Sequence, residues 1–310
     1  MPHPPRPFSS LCMAALLAVS CTSTEPGNRT RRMESLYQAS DYAWVGEFTS
    51  GLEGPAVDAR GRLFFVNPRH NGSIGMVDAD GAFSLFIEHL PKGSTANGIR
   101  FNRSGNLFLA DYTGHNVLLV DAGTRDVTVH AHEPRMNQPN DIAIARDGTL
   151  YASDPNWTAS TGKLWKIAPD GATTLLEENM GTTNGIEISP DESTLYVNES
   201  VQRRVWAYDL SPTGTISNKR LLVTFGDHGM DGMRCDILGN LYITRHGKGT
   251  VVKLSPAGDI LEEITLKGQK PSNIAFGGPD GRTAYITLQD RGYIEQFRVS
   301  HPGREFRQYP

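Results

Sequence analysis

The chain has 310 residues, a formal net charge of −4 and an isoelectric point near 6.1, which argues against a nucleic-acid-binding role. Charged residues make up 21% and hydrophobic residues 38% of the sequence, as is ordinary for a soluble globular protein. The 32 glycines and 19 prolines favour an all-β fold with many tight turns.

The first 21 residues have the pattern of a targeting signal. Arg6 supplies a positive charge, and the apolar run from Leu11 to Val19 is too short to span a bilayer. Because this run ends in small residues directly before Cys21, it resembles a bacterial lipoprotein signal. We therefore predict a signal at residues 1–21, a lipid on Cys21 as the protein's membrane contact, and a polar tether at residues 22–36. The expected location is the cell envelope, facing the periplasm; an ordinary secretory signal is the alternative.

A short strand-like phrase then returns six times. Its first residue, here called the lead residue, is an acid or an amide each time: Glu53, Asn97, Asn140, Asn184, Asp231 and Asn273. Successive lead residues are 42 to 47 positions apart, a period typical of propeller blades. The sequence therefore predicts a six-bladed β-propeller over residues 37–310.

The third repeat shows most clearly the order of strands and turns within one blade. Strand-like runs at 141–145, 149–153, 163–167 and 172–176 are separated by turn residues, which predicts a four-stranded antiparallel meander. The last repeat provides three such runs, while Tyr42–Phe48 precedes the first repeat. We predict that this N-terminal strand completes blade six and closes the ring. The residues from His301 onward are expected to be a loose tail.

The alternation of strand directions places the loops between second and third strands on the face where the lead residues stand. Tyr112, Trp157 and His246 lie in these loops and are candidates for substrate binding. The Asp-Gly turns belong to the opposite face and are expected to be structural.

The lead residues point to a hard cation. Carboxylate and amide oxygens without Cys or His favour Ca²⁺ or Mg²⁺, and two acids balance a divalent charge. Mn²⁺ and Zn²⁺ are further alternatives. Asn and Asp also cap turns, so structural capping is the competing interpretation for each residue taken alone.

The phrases at Glu53-Gly-Pro, Pro139-Asn-Asp, Thr183-Asn-Gly and Asp231-Gly-Met-Arg-Cys-Asp resemble the senescence marker protein/gluconolactonase family of six-bladed propellers, which includes regucalcin. The resemblance covers roughly residues 42–299. It implies a central catalytic metal, usually Ca²⁺, held by Glu53, Asn140, Asn184 and Asp231. Asn97 and Asn273 would lie nearby and contact substrate. The sugar-lactone members carry an Arg two residues before the blade-three Asn, where this chain has Gln138, a further candidate for substrate binding.

These observations predict a metal-dependent hydrolase of small lactones or related esters, acting as a monomer. The cation would polarise the carbonyl, and Asp231 would act as nucleophile or as general base. A non-catalytic propeller that binds a sugar, peptide or protein on the same face is the alternative. Phosphotriester hydrolysis and the condensation of strictosidine synthase-like propellers are further reactions for such a centre, and the paired acids favour hydrolysis over the condensation.

Overall fold

The computed structural model describes residues 1–5 and 35–307. The chain divides into two compact units, Met1–Glu34 and Ser35–Pro310, and all described strands belong to the second. The predicted signal from residue 6 onward, the lipid site at Cys21 and the tether up to residue 34 lie outside the described residues and stay predictions. Within the described part of the chain, no helix has the length and apolarity needed to cross a membrane.

The described residues form six four-stranded antiparallel sheets arranged as blades. The inner strands of blades one to six are β2 (Glu53–Val57), β6 (Ala96–Phe101), β10 (Ile142–Ile144), β14 (Thr183–Ile188), β18 (Met233–Cys235) and β22 (Pro271–Gly277). The second strands are β3 (Leu63–Val66), β7 (Leu107–Asp111), β11 (Leu150–Asn156), β15 (Thr194–Glu199), β19 (Leu241–Arg245) and β23 (Thr283–Leu288).

The outer halves of the blades follow the same order. The third strands are β4 (Ile74–Val77), β8 (Asn116–Val120), β12 (Thr161–Ile167), β16 (Arg204–Leu210), β20 (Thr250–Leu254) and β24 (Tyr293–Arg298). The outermost strands are β5 (Phe83–Ile87), β9 (Val127–His132), β13 (Thr173–Met180), β17 (Ile216–Thr224), β21 (Ile260–Thr265) and, for blade six, β1 (Ser40–Trp44). The predicted six-bladed propeller is confirmed.

The N-terminal strand closes the ring as the sequence predicts. β1 pairs antiparallel with β24, with Ser40 opposite Gln296 and Trp44 opposite Tyr293. Blade six is thus built from both ends of the propeller. Closure pairs a sheet edge that would otherwise be free to pair with another chain.

Apolar side chains fill the interfaces between blades. Along β3, Phe64 and Val66 pack towards blade two, whereas Leu63 and Phe65 pack towards blade six. Successive side chains of a strand point to opposite faces, and both faces of a blade are covered. This explains why the second strands read as continuous apolar runs rather than as alternating ones.

The segment after residue 300 is not a loose tail, so that expectation is wrong for its described part. It ends in a 3₁₀ helix, Arg304–Arg307, that closes the channel on the face opposite the lead residues. Arg304 donates from Nη1 to Glu187 Oε1 at 3.2 Å and from Nη2 to the carbonyl of Ile144 at 2.8 Å. Its partner acid belongs to an inner strand, which explains how a charged tail residue becomes buried.

Removing the Arg304 side chain is expected to destabilise the fold strongly. Both side chains of its pair with Glu187 are 1% exposed, so Arg304→Met leaves an uncompensated carboxylate inside the channel. We expect a loss of about 3 kcal/mol in the free energy of unfolding, measured by urea denaturation. The control is Arg220→Met, which breaks an exposed pair with Asp209 and is expected to cost less than about 1 kcal/mol. Equal losses in both variants would show that the tail does not seal the channel.

Candidate metal centre

An irregular register marks the start of several inner strands, where the lead residue stands. The register between β2 and β3 shifts between Glu53 and Ala56, and a similar shift in β14 flanks Asn184. Gly54 has φ +58°, and a Cβ there would lie 2.0 Å from the carbonyl oxygen of Asn97. The glycine after a lead residue therefore allows neighbouring inner strands to meet at the channel.

Two carboxyl groups, Glu53 and Asp231, meet at this level of the channel. Their side chains form a hydrogen-bonded pair, and Glu53 also accepts from the Gly54 N–H at 2.6 Å. Burial raises the pKa of Glu53 to about 7, with a further contribution from the charge of Asp141. Desolvation and the neighbouring Glu53 raise the pKa of Asp231 well above its usual range. The raised pKa values mean that the surrounding residues do not stabilise the ionised forms of these two carboxyl groups enough to offset their burial.

Two amide oxygens complete the arrangement. Asn140 and Asn184 are 5% and 2% exposed, and neither Oδ1 has a hydrogen-bond donor among the described residues. A buried oxygen without a donor costs about 1–3 kcal/mol, so these oxygens do not have the role of turn caps. Asn184 does hydrogen-bond through its side chain to Asp231, which lowers the pKa of that acid.

The donor set fits a hard divalent cation. Two carboxylates and two free amide oxygens offer only oxygen ligands, with two negative charges to balance the ion. In the described residues, no three His, Cys, Asp or Glu side chains come together as an alternative metal group. The set consisting of Glu53, Asn140, Asn184 and Asp231 is named the upper centre below.

The sixth lead residue is out of register. Ile274 pairs with Ile286 as Met233 pairs with Ile243, which places Ser272 and not Asn273 at the lead position. Asn273 is 1% exposed, and its Oδ1 accepts from the Ile274 N–H at 2.9 Å. It lies one layer below the upper centre and does not line the cavity above it.

A cavity of about 500 Å³ opens over the upper centre. All six predicted loops contribute to its wall, which includes Asn67, Asn71, Tyr112, Thr113, Trp157, Ser200, His246 and Gln289. Asn97 also lines it, and donates from Nδ2 to the carbonyl of Asn140 at 3.2 Å. No Lys or Arg side chain stands among these lining residues.

His246 and Gln138 differ in their relation to the cavity. His246 Nε2 lies 3.2 Å from Gln289 Oε1, which accepts a hydrogen bond from the ring in the tautomer that is protonated at Nε2. Desolvation lowers the pKa of His246, which favours the neutral ring. Gln138 stands behind the wall, where its side chain hydrogen-bonds to Tyr112.

The hairpin that carries Trp157 is longer than the sequence suggests. Asn156 pairs with Thr161, so the predicted loop 154–161 shrinks to a tight turn at the cavity. Pro155 lies inside the strand and is tolerated because this hairpin tip extends beyond the inner strand of its blade.

Several positioning residues were missed by the sequence analysis. Asp154 Oδ1 accepts from the N–H groups of Asn137 and Gln138, at 2.7 and 2.6 Å, in the loop before Asn140. Asp111 similarly accepts from the Thr95 N–H at 3.0 Å, in the loop before Asn97, the lead residue of blade two. The sequence signal that could have revealed these residues is the acid that follows the apolar run of the second strand in blades two to four: Asp111, Asp154 and Glu199.

Comparison with known proteins gives a consistent picture. The sequence model described as the SMP-30/Gluconolactonase/LRE-like region matches residues 52–290. The gluconolactonase of Zymomonas mobilis is 29% identical over 285 residues, covering 80% of this chain and 77% of that protein. The pentonolactonase XacC of Haloferax volcanii is 28% identical over 198 residues, covering 63% of this chain and 67% of that protein.

A solved structure shares the fold. The calcium-binding protein regucalcin of Agrobacterium tumefaciens superposes with a TM-score of 0.75 at 20% identity. The match covers 88% of this chain and 97% of that one. At this level of identity the likeness concerns the arrangement of the blades.

Stripping divalent ions should make stability fall as the pH rises. With the pKa of Glu53 raised to about 7 from 4.5, the folded state holds a proton that the unfolded chain has lost between these values. The folded state binds more protons there, so the free energy of unfolding decreases as the pH rises through this window. We expect the melting temperature of chelated protein to drop by on the order of 5 °C between about pH 5 and about pH 8.

Calcium should abolish this drop, since a bound cation compensates the ionised pair. Glu53→Gln is the control, because it removes the titrating group and should flatten the pH dependence in chelator. A chelated wild type whose stability changes with pH over this window in the same way as that of Glu53→Gln would contradict the assignment of a raised pKa to Glu53.

Proposed function

Because the chain belongs to the SMP-30/gluconolactonase/LRE-like family, we propose that it is a metal-dependent hydrolase of lactones. The observation that carries this proposal is the upper centre itself. Two carboxyl groups with raised pKa values and two donor-less amide oxygens converge beneath a cavity of about 500 Å³. A scaffold that only binds a partner on its surface has no need for such poorly compensated groups.

Glu53, Asn140, Asn184 and Asp231 would hold the metal. A divalent cation, Ca²⁺ by donor type, would supply positive charge where the carbonyl oxygen of the ester becomes an oxyanion. The regucalcin whose fold this chain shares is described as calcium-binding, which supports this choice. Mg²⁺, Mn²⁺ and Zn²⁺ are the alternatives to test.

Asp231 is the residue placed to carry the reaction. It combines an accessible position on the cavity wall with a hydrogen bond from Asn184 that fixes its carboxylate. The ionised carboxylate attacks the carbonyl carbon directly or removes a proton from the attacking water. Either role requires ionisation, which desolvation and Glu53 oppose. Activity is therefore expected to depend on a compensating cation.

The wall of the cavity favours uncharged, hydroxylated substrates. It presents amide and hydroxyl groups from Asn67, Asn97 and Thr113, with the ring of Trp157 as an apolar surface. Since none of the lining residues is Lys or Arg, the wall offers no guanidinium or ammonium group to balance the charge of a phosphate or sulfonate. The lactonase names of the relatives and this chemistry together support a neutral sugar lactone.

A substrate panel with chelator tests the function. Purified protein is assayed on neutral aldonolactones, aliphatic lactones, aryl esters and a phosphotriester, each with EDTA and after return of Ca²⁺, Mg²⁺, Mn²⁺ or Zn²⁺. We expect lactone hydrolysis that falls by at least about 100-fold in EDTA and returns with one of the ions. Full activity after exhaustive chelation would reject the metal mechanism. Absence of hydrolysis with every ion would favour the binding-module alternative.

Substitution of Asp231 separates catalysis from metal binding. In Asp231→Asn the amide oxygen can still bind a hard cation, so calcium binding is expected to weaken but to remain measurable by calorimetry. Turnover should fall by at least about 10³-fold, since an amide can neither attack nor take a proton. The control is Asp236→Asn, which changes a buried acid at the other end of the same inner strand, bonded to the N–H groups of Leu238 and Asn240. An active Asp231→Asn protein would refute the assignment.

A further inference from the structure

Below the upper centre, one guanidinium group lies across the middle of the channel. Arg234 belongs to β18, and 3% of its side chain is exposed. Its Nη1 donates to the carbonyl of Met233 at 2.7 Å and lies 3.4 Å from both Asp141 Oδ2 and Asn273 Oδ1. Its Nη2 donates to the carbonyl of Pro55 at 3.3 Å.

These four oxygens come from four different blades. Pro55 is in blade one, Asp141 precedes the inner strand of blade three, and Met233 and Asn273 belong to blades five and six. The donors are two backbone carbonyls, one carboxylate and one amide oxygen. This is the ligand chemistry of a hard cation and matches the type of donor in the upper centre.

The charges of the lower channel are already balanced. Arg100 and Arg234 share the carboxylate of Asp141, at 3.2 and 3.4 Å. Arg304 pairs with Glu187 at 3.2 Å, and Arg100 also lies 3.4 Å from Glu305. Arg304 also lies 3.5 Å from Glu192, so each of the three guanidinium groups has a carboxylate partner, whereas the two acids of the upper centre have no guanidinium partner in the described residues.

We infer that the guanidinium of Arg234 is a built-in cation that occupies a second cation position of the channel. The inference rests on the proposed function for the upper centre. The native protein then takes up one exchangeable divalent ion, because the oxygens of the lower position are already bound by the side chain of Arg234. Removing Arg234 leaves the carbonyl of Pro55 and Oδ2 of Asp141 without its guanidinium, while Arg100 still holds Oδ1 of Asp141 and the Ile274 N–H still donates to Asn273 Oδ1. The side chain also ties blades one, three, five and six together beneath Glu53 and Asp231.

A calcium titration of chelator-stripped protein by calorimetry tests this inference. Arg234→Ala removes the guanidinium and leaves room for an ion, whereas Arg234→Met removes the charge and fills the space. Arg234→Lys keeps a cation in place. Arg245→Met is the control for loss of a buried guanidinium elsewhere, since Arg245 is bonded to Asp227 outside the channel.

We expect one calcium ion per chain for the wild type and for the Lys, Met and Arg245→Met proteins, and one additional ion for Arg234→Ala. In chelator, the Ala, Met and Arg245→Met proteins should all melt at lower temperature than wild type. Calcium should raise the melting temperature of Arg234→Ala more than that of any other variant, since only there does it replace the lost cation.

The outcomes are separable from those of the proposed function. A wild type that binds two ions overturns the inference whatever the variants do. An Arg234→Ala protein that binds no more ions than wild type, or that stays unfolded when refolded with calcium, also overturns it. If the wild type binds no ion while Arg234→Ala binds one, the inference stands and the proposed metal centre falls.

Discussion

The organisation of this protein depends on the electrostatic cost of holding Glu53 and Asp231 side by side in a water-poor channel. Burial raises the pKa of both carboxyl groups, and the charge of Glu53 raises that of Asp231 further, so that without compensation at least one of them keeps a proton. A divalent cation removes both the repulsion and the loss of hydration at once. The same requirement explains why the neighbouring amide oxygens of Asn140 and Asn184 are left without donors.

The propeller supplies the stiffness that this arrangement requires. Six apolar interfaces hold the blades, and the pairing of β1 with β24 leaves blade six complete. The channel is then divided into layers of different charge. The upper layer is anionic and meets the cavity, whereas the lower layer contains matched pairs such as Arg304 and Glu187. In the proposed function, an exchangeable ion would therefore bind only in the upper layer, beneath the cavity.

Much of this could be predicted from the sequence because the repeat is local. The six acid or amide lead residues at a regular spacing predicted the number of blades, and the order of strand-like runs predicted the ring closure and the face on which the loops gather. Asn273 was wrongly assigned as the lead residue of blade six. Ser272 stands at that position, and the amide directly after it fitted the acid-or-amide pattern. The tail from residue 301 and the role of Arg234 were beyond such reasoning, since their partners lie far away in sequence, on other blades.

The division between inner strands and loops also bears on how specificity arises. The groups proposed for chemistry stand on inner strands, where a neighbouring backbone lies so close that Gly54 has no room for a side chain. The cavity wall, in contrast, takes residues such as Tyr112, Trp157 and His246 from loops of separate blades. A substitution in one wall loop can change the fit of a substrate without moving the upper centre, because the backbone before Asn140 is held separately, by the hydrogen bonds that Asp154 accepts from the N–H groups of Asn137 and Gln138. Family members with different lactones are then expected to differ on the wall, while the acids and amides beneath it stay constrained by charge.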